Sequence, residues 1–349
     1  MENEFTTNAT APAVDMTNDT VKEARRQFSK VGLMFFLGTL IIYGGQILSM
    51  VIANVITNTI NPDSVLDTAP SLLITMLPMY AISMPLMGLL IRTAPARKLK
   101  KKKMTVGQWL ISFIICYGAV YVSNYIGIIL TSIIGAIKGS PVTNTIVEVA
   151  SSSTIGVNFL IMVICAPIAE ELIFRKLLID RTIKYGDSVA ILLSGLMFGL
   201  FHGNLNQFVY AFALGICYGF IYTKTGNVRY TISLHMLNNF LGSVVGMLVL
   251  KFVGEDFANA LNDPATLMTY MMDNMGPVLV YFVYAFILLG IAIAGIVLFF
   301  VNIKKIKAQI VPGEVTIPKG KRFTTTILNM GMGLFFLFWI AMIVIQLFS

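Results

Sequence analysis

VLVYFVYAFILLGIAIAGIVLFFV, residues Val278 to Val301, runs twenty-four positions without a charge. As an α-helix it would extend about 36 Å at ~1.5 Å per residue, enough to cross a hydrocarbon layer of ~30 Å. Val31 to Asn54 and Val106 to Ile137 repeat the pattern. Over the whole chain 56% of residues are hydrophobic and only 12% charged, about half the charged share of a soluble domain. The mean hydropathy is +0.80. The fold class this predicts is an all-α polytopic membrane protein.

Working outward from that stretch, the apolar periodicity places helices near 31–56, 70–92, 106–137, 155–178, 187–203, 206–223, 230–251, 276–303 and 324–348, hence eight to nine spans. Residues 1–30, rich in Asn, Thr and charged side chains, read as a disordered cytoplasmic tail with no cleavable signal peptide. Residues 31–349 read as one transmembrane domain, with 155–251 as its motif-bearing core.

The net charge of +8 is not spread evenly. Lys and Arg gather in the tail, in Arg92 to Lys103, in Arg175 to Lys184, at Lys224 and Arg229, and in Lys304 to Arg322. The alternate connections carry only Lys138 and Lys251. That alternation is the positive-inside pattern, so it predicts a multi-pass protein with a cytoplasmic N-terminus. The bacterial plasma membrane is the expected location, although no residue writes it. It leaves no nucleic-acid role to explain. The run Arg97 to Lys103 could grip anionic headgroups, although topology alone accounts for a basic loop. Cys116, Cys165 and Cys217 fall in apolar segments without a CxxC pair, so they read as packing residues.

Charge inside the membrane demands a reason, since each ionised residue costs about 2.5 to 3.5 kcal/mol on insertion scales. The fourth span reads Ala166-Pro167-Ile168-Ala169-Glu170-Glu171-Leu172-Ile173-Phe174-Arg175. Glu171 and Arg175 are i, i+4 neighbours able to neutralise one another, and Glu170, about 100° around the helix, has no local cation. Phe198 and His202 share a face in the fifth span, and His235 and Asn239 do so in the seventh. Gly195, Gly199 and Gly203 recur every four residues as a strip for close helix approach, and Gly215 with Gly219 reads alike. A lone intramembrane His is as readily an interhelical hydrogen bond as a catalyst. Here, however, the only two histidines both belong to such patterns beside a Glu-Glu helix.

Together Glu170-Glu171-xxx-Arg175, Phe198-xxx-His202 and His235-xxx-Asn239, on three apolar helices in that order, resemble the CAAX protease and bacteriocin-processing family of intramembrane endopeptidases. The resemblance covers about residues 155–250. It implies hydrolysis of a peptide bond in a membrane-associated peptide or protein, prenylated or leader-like, with membrane lipids as surroundings. By the same resemblance Glu170 is the general base for water, aided by His202; His235 and Asn239 stabilise the oxyanion; Glu171 and Arg175, with Phe198, support the site.

Three alternatives stay open on the residues. Zinc held by Glu170, His202 and His235 would make a His₂Glu hydrolase site with an open fourth position, although HExxH is absent; the expectation is no cofactor. A non-proteolytic immunity or scaffold protein could keep the same motifs, as bacteriocin self-immunity proteins of this family would. A proton-relaying transporter is disfavoured by the lack of an inverted repeat.

Overall fold

The computed structural model describes residues 18–60, 68–254, 256–260 and 263–348. Its regular elements are all helical, with no strand among these residues beyond the Gly186–Pro312 bridge. Eight helices are long and apolar enough to cross a membrane: α1 (Asp19–Thr59), α2 (Ala69–Arg92), α3 (Val106–Lys138), α4 (Ile155–Tyr185), α6 (Leu205–Thr225), α7 (Val228–Val253), α8 (Met275–Ala308) and α9 (Met330–Phe348). Between α4 and α6 lies the shorter α5 (Asp187–Leu200). The protein is thus the all-α polytopic membrane protein that its apolar runs predict, with eight full-length spans among the described residues and a ninth apolar helix that falls short.

The reason α5 is short is local. Its 14 residues make about 21 Å of helix, less than the ~30 Å hydrocarbon layer. Gly203 then adopts φ +67, a left-handed turn. Asn204 caps the next helix, its Oδ1 accepting from Gln207 N at 2.8 Å. So α5 and α6 form a tight hairpin whose tip carries His202. Gly203 is therefore a turn residue and not a third rung of the small-residue strip. Gly195 does belong to the strip: a Cβ on Gly215 would stand 2.7 Å from Gly195 Cα, so the two backbones touch.

The first helix also departs from expectation. Residues 1–17 of the expected tail lie outside the described residues, but 18–30, placed in that tail, form the start of α1. They are helical because Ala24 and Phe28, one turn apart, are buried in the core with Val31 and Phe35.

Two ends of the bundle are marked by hydrogen bonds. At one end Arg25 donates to Leu328 O at 2.8 Å and Gln27 to Arg181 O at 2.9 Å. At the other, Lys138 Nζ donates to Leu347 O at 2.9 Å and Gln346 to Thr143 O at 3.0 Å. The Lys224–Asp187 pair ties the two feet of the hairpin at the first, basic end. Around the hairpin, α6 packs on α3, and α3 on α8, while α1 lies against α2 and α9. Helix α4 contacts α5, α6 and α7, which brings the three motif helices together.

Candidate active site

Helix α4 is not regular. It contains π-helical stretches at Phe159–Cys165 and Glu171–Ile179, with Pro167 between them. Proline withholds an N–H and crowds the preceding turn, so the helix loosens there, and π-turns of this kind widen a helix and free carbonyls. Helix α7 has a matching π-helical stretch directly after Asn239, at Phe240–Val245. The glutamates and Asn239 therefore sit at junctions between α and π geometry.

The split of the Glu-Glu pair expected from spacing is what the side chains adopt. Arg175 Nε lies 3.1 Å from Glu171 Oε2, and both side chains are 0% exposed. This is an ion pair without hydrogen-bond alignment, since none of the three guanidinium nitrogens meets an acceptor in bonding geometry among the described residues. The guanidinium instead stacks on aromatic faces, 4.2 Å from the centre of Phe198 and 5.5 Å from that of Tyr218. A planar, weakly hydrated cation is suited to such a site in a way an ammonium is not.

The second oxygen of Glu171 reaches the seventh helix: His235 Nδ1 is 3.1 Å from Glu171 Oε1. A carboxylate can only accept, so the proton sits on Nδ1 and the other ring nitrogen, Nε2, is the one left for chemistry. Nε2 stands 3.8 Å from Glu170 Oε2, too far for a direct hydrogen bond and close enough for both atoms to act on one small group. Glu170 is the less enclosed glutamate, its side chain 12% exposed.

His202, at the hairpin tip, points Nδ1 to Phe198 O at 2.9 Å. A carbonyl too can only accept, which again leaves Nε2 as the free nitrogen. Phe198 packs against both histidines, edge-to-face with His202 at 4.9 Å and with His235 at 5.9 Å. One buried phenyl ring therefore spaces both imidazoles and carries the Arg175 cation on its face.

Asn239 is placed differently from its expected role. Its Nδ2 donates to Met162 O at 2.8 Å, a carbonyl in the first π-helical stretch of α4. That bond uses one of its two amide hydrogens and braces α7 against α4, leaving the other hydrogen and Oδ1. Two residues that sequence reasoning passed over complete the surroundings. Asn238 donates to Tyr218 Oη and to Leu234 O, each at 2.9 Å. The Tyr218 ring lies 5.4 Å from His235. Nothing in the spacing of Tyr218 marks it; only the packing of α6 on α7 does.

Among the described residues no three His, Cys, Asp or Glu side chains converge as a metal-ligand set.

The class of protein is accordingly a polytopic helical membrane protein with a glutamate–histidine cluster buried at the junction of four helices. Comparison with known proteins agrees with that description. Residues 152–241 match the family described as type II CAAX prenyl endopeptidase, Rce1-like, so the resemblance read from the three motifs is borne out over the segment that carries them. Over 157 residues the chain is 28% identical to YdiL of Bacillus subtilis, named as a candidate membrane peptidase, covering 43% of this chain and 62% of that one. Over 121 residues it is 29% identical to the membrane-embedded CAAX protease MroQ of Staphylococcus aureus, covering 33% of this chain and 48% of the other. The chain thus spans about half to three fifths of the length of these relatives. No solved structure matches.

Proposed function

We propose that the protein is an intramembrane endopeptidase that hydrolyses a peptide bond of a membrane-associated peptide or protein, without a metal. The observation that carries this reading is the sharing of His235 between two glutamates, Nδ1 on Glu171 at 3.1 Å and Nε2 facing Glu170 at 3.8 Å.

In the proposed reaction Glu170, aided by His202, takes a proton from water as the water oxygen bonds to the peptide carbonyl carbon. The electron pair of the C=O bond moves to oxygen. With protons on both nitrogens, His235 donates from Nε2 to that oxyanion, and the remaining Asn239 amide hydrogen is the second donor. The C–N bond then breaks, the proton held by Glu170 goes to the departing amine, and a carboxylic acid and an amine leave, the acid passing its remaining proton to the amine in water. Glu171 anchors the imidazolium and Arg175 offsets the second carboxylate. The set Glu170, Glu171, Arg175 and His235 then sums to no net charge, which is the arrangement a low-dielectric interior favours.

Comparison of membranes containing the unaltered protein with membranes containing Glu170→Gln, by mass spectrometry of new peptide termini, tests this. New termini that vanish with Glu170→Gln are expected. Identical termini from both would overturn the assignment of Glu170. Retention of peptides by both proteins with no new termini would favour the immunity or scaffold reading.

A further inference from the structure

Residues 93–105, between α2 and α3, adopt no regular secondary structure and carry Arg97, Lys98 and Lys100 to Lys103. A loop that served only to orient the protein would need charge and no fixed course. This one is moored across the basic ends of all three helices that carry the glutamates, the hairpin's return and the second histidine. Arg97 N donates to Asp180 O in α4 at 2.6 Å, and Lys102 N to Thr225 O at the end of α6 at 2.7 Å. Met104 N donates to Tyr230 Oη in the first turn of α7 at 3.0 Å. Leu99 packs below on Ile179, Ile183, Ala190 and Tyr222. Gly226, the left-handed cap of α6, makes room for it: a Cβ there would stand 2.5 Å from Lys100 O.

The backbone is held inward while the cations face out. Lys98 and Lys100 to Lys103 are all exposed. Arg97 is paired with Glu314 at 2.6 Å, but no acidic side chain among the described residues pairs with those five lysines. Directly below them the first turns of α3 present apolar side chains outward: Val106 is 76% exposed, Leu110 48% and Ile111 44%. Ammonium groups in a fixed row above outward-facing aliphatic side chains match the two halves of a phospholipid. An acidic peptide in water would match only the upper half.

We propose that this segment is a binding site for anionic phospholipid headgroups, with the acyl chains lying on the start of α3. Its moorings make the bound headgroups part of the support for the helix ends beneath the glutamate–histidine cluster. The site stands whether or not that cluster hydrolyses peptides.

Trp109, half-buried one turn into α3 and hydrogen-bonded to Ser233 Oγ at 2.9 Å, is a reporter placed beside the lysines. The only other tryptophan, Trp339, is buried in the core at 4% exposure. The full chain, reconstituted in phosphatidylcholine with increasing brominated phosphatidylglycerol, should show Trp109 quenching that exceeds that by brominated phosphatidylcholine at equal mole fraction. The expected relative binding constant is on the order of fivefold, collapsing toward one in molar NaCl. Replacing Lys98 and Lys100 to Lys103 together by Gln should abolish the preference with unchanged elution on gel filtration. Equal quenching by both lipids in the unaltered protein would overturn the proposal, as would a preference indifferent to salt. If soluble polyglutamate binds the protein in pure phosphatidylcholine vesicles and the lipid preference is absent, the site is instead one for acidic peptide. The salt titration needs no variant, so failure of the substituted protein to fold would not shelter the idea.

Discussion

Neutralising Glu171 without changing its shape puts the buried support of the site to its hardest test. Glu171 and Arg175 are both 0% exposed and 3.1 Å apart, so solvent screening offers no discount. Breaking such a pair from one side strands a charge in a low dielectric, at a cost of about 3 to 5 kcal/mol. Glu171→Gln should therefore destabilise the fold by that amount, even though the amide oxygen can still accept from His235 Nδ1. Arg175→Met strands Glu171 instead and also removes the cation from the face of Phe198, adding up to about 2 kcal/mol. The double substitution leaves no stranded charge. It should cost only about 1 to 2 kcal/mol, chiefly the lost stacking, so the two single effects should miss additivity by several kcal/mol. Equilibrium unfolding in mixed micelles, followed by tryptophan fluorescence for all four proteins, reads this directly. Additive losses, or single losses under about 1 kcal/mol, would show that the pair is not the compensated buried unit described.

Other outcomes follow from the same contacts. Phe198→Ala removes a ring that touches Arg175, His202 and His235 and should cost about 3 to 5 kcal/mol in the same unfolding measurement, with Phe198→Leu well below that. Asn239→Ala should lower turnover by about 10² to 10³-fold if its free amide hydrogen meets the oxyanion. Asn238→Ala, whose amide binds Tyr218 and Leu234, should instead lose about 1 to 3 kcal/mol of stability; the reverse pattern in paired turnover and unfolding assays would exchange their roles. Gly215→Leu should prevent the α5–α6 hairpin from closing, because even a Cβ would meet Gly195 Cα at 2.7 Å; a monodisperse, fully active variant on gel filtration would contradict that packing. Activity should survive dialysis against a strong chelator, measured with metal content below one atom per chain; loss restored by zinc would reinstate a metal mechanism.

The spans were legible because lipid imposes one strong rule, an apolar run long enough to cross, and α8 or α3 satisfies it without ambiguity. Glu171 and Arg175 were legible for a similar reason: i, i+4 spacing on a helix is a short-range constraint that survived even the widening of α4 into π geometry. The end of α5 was misread because Gly203 continues a four-residue glycine period, which masks the stop. The cue present was Asn204 followed three residues later by Gln207, a capping pattern that starts a new helix. The start of α1 was hidden by Lys22, Glu23, Arg25 and Arg26, which lie on the faces that Ala24 and Phe28 do not use. Tyr218 and Asn238 were not legible at all. Their bond joins residues twenty positions apart on two helices, and no local periodicity encodes it.

The length of α5 and the chemistry of His202 are linked by the same glycine. A full-length fifth span would place its C-terminal histidine at the far membrane face, where water competes for every hydrogen bond and no neighbour repeats His235. By turning at Gly203 after about 21 Å of helix, the chain leaves His202 inside the bundle, against the same Phe198 ring as His235. Both rings are held by Nδ1, one on a backbone carbonyl and one on a carboxylate. The acceptors differ in charge, so the two imidazoles cannot behave alike. One ring lies between two carboxylates, whereas the other is bound to the backbone of its own helix. That asymmetry matches the division proposed for the reaction, with His235 as donor to the oxyanion and His202 as partner of the base Glu170.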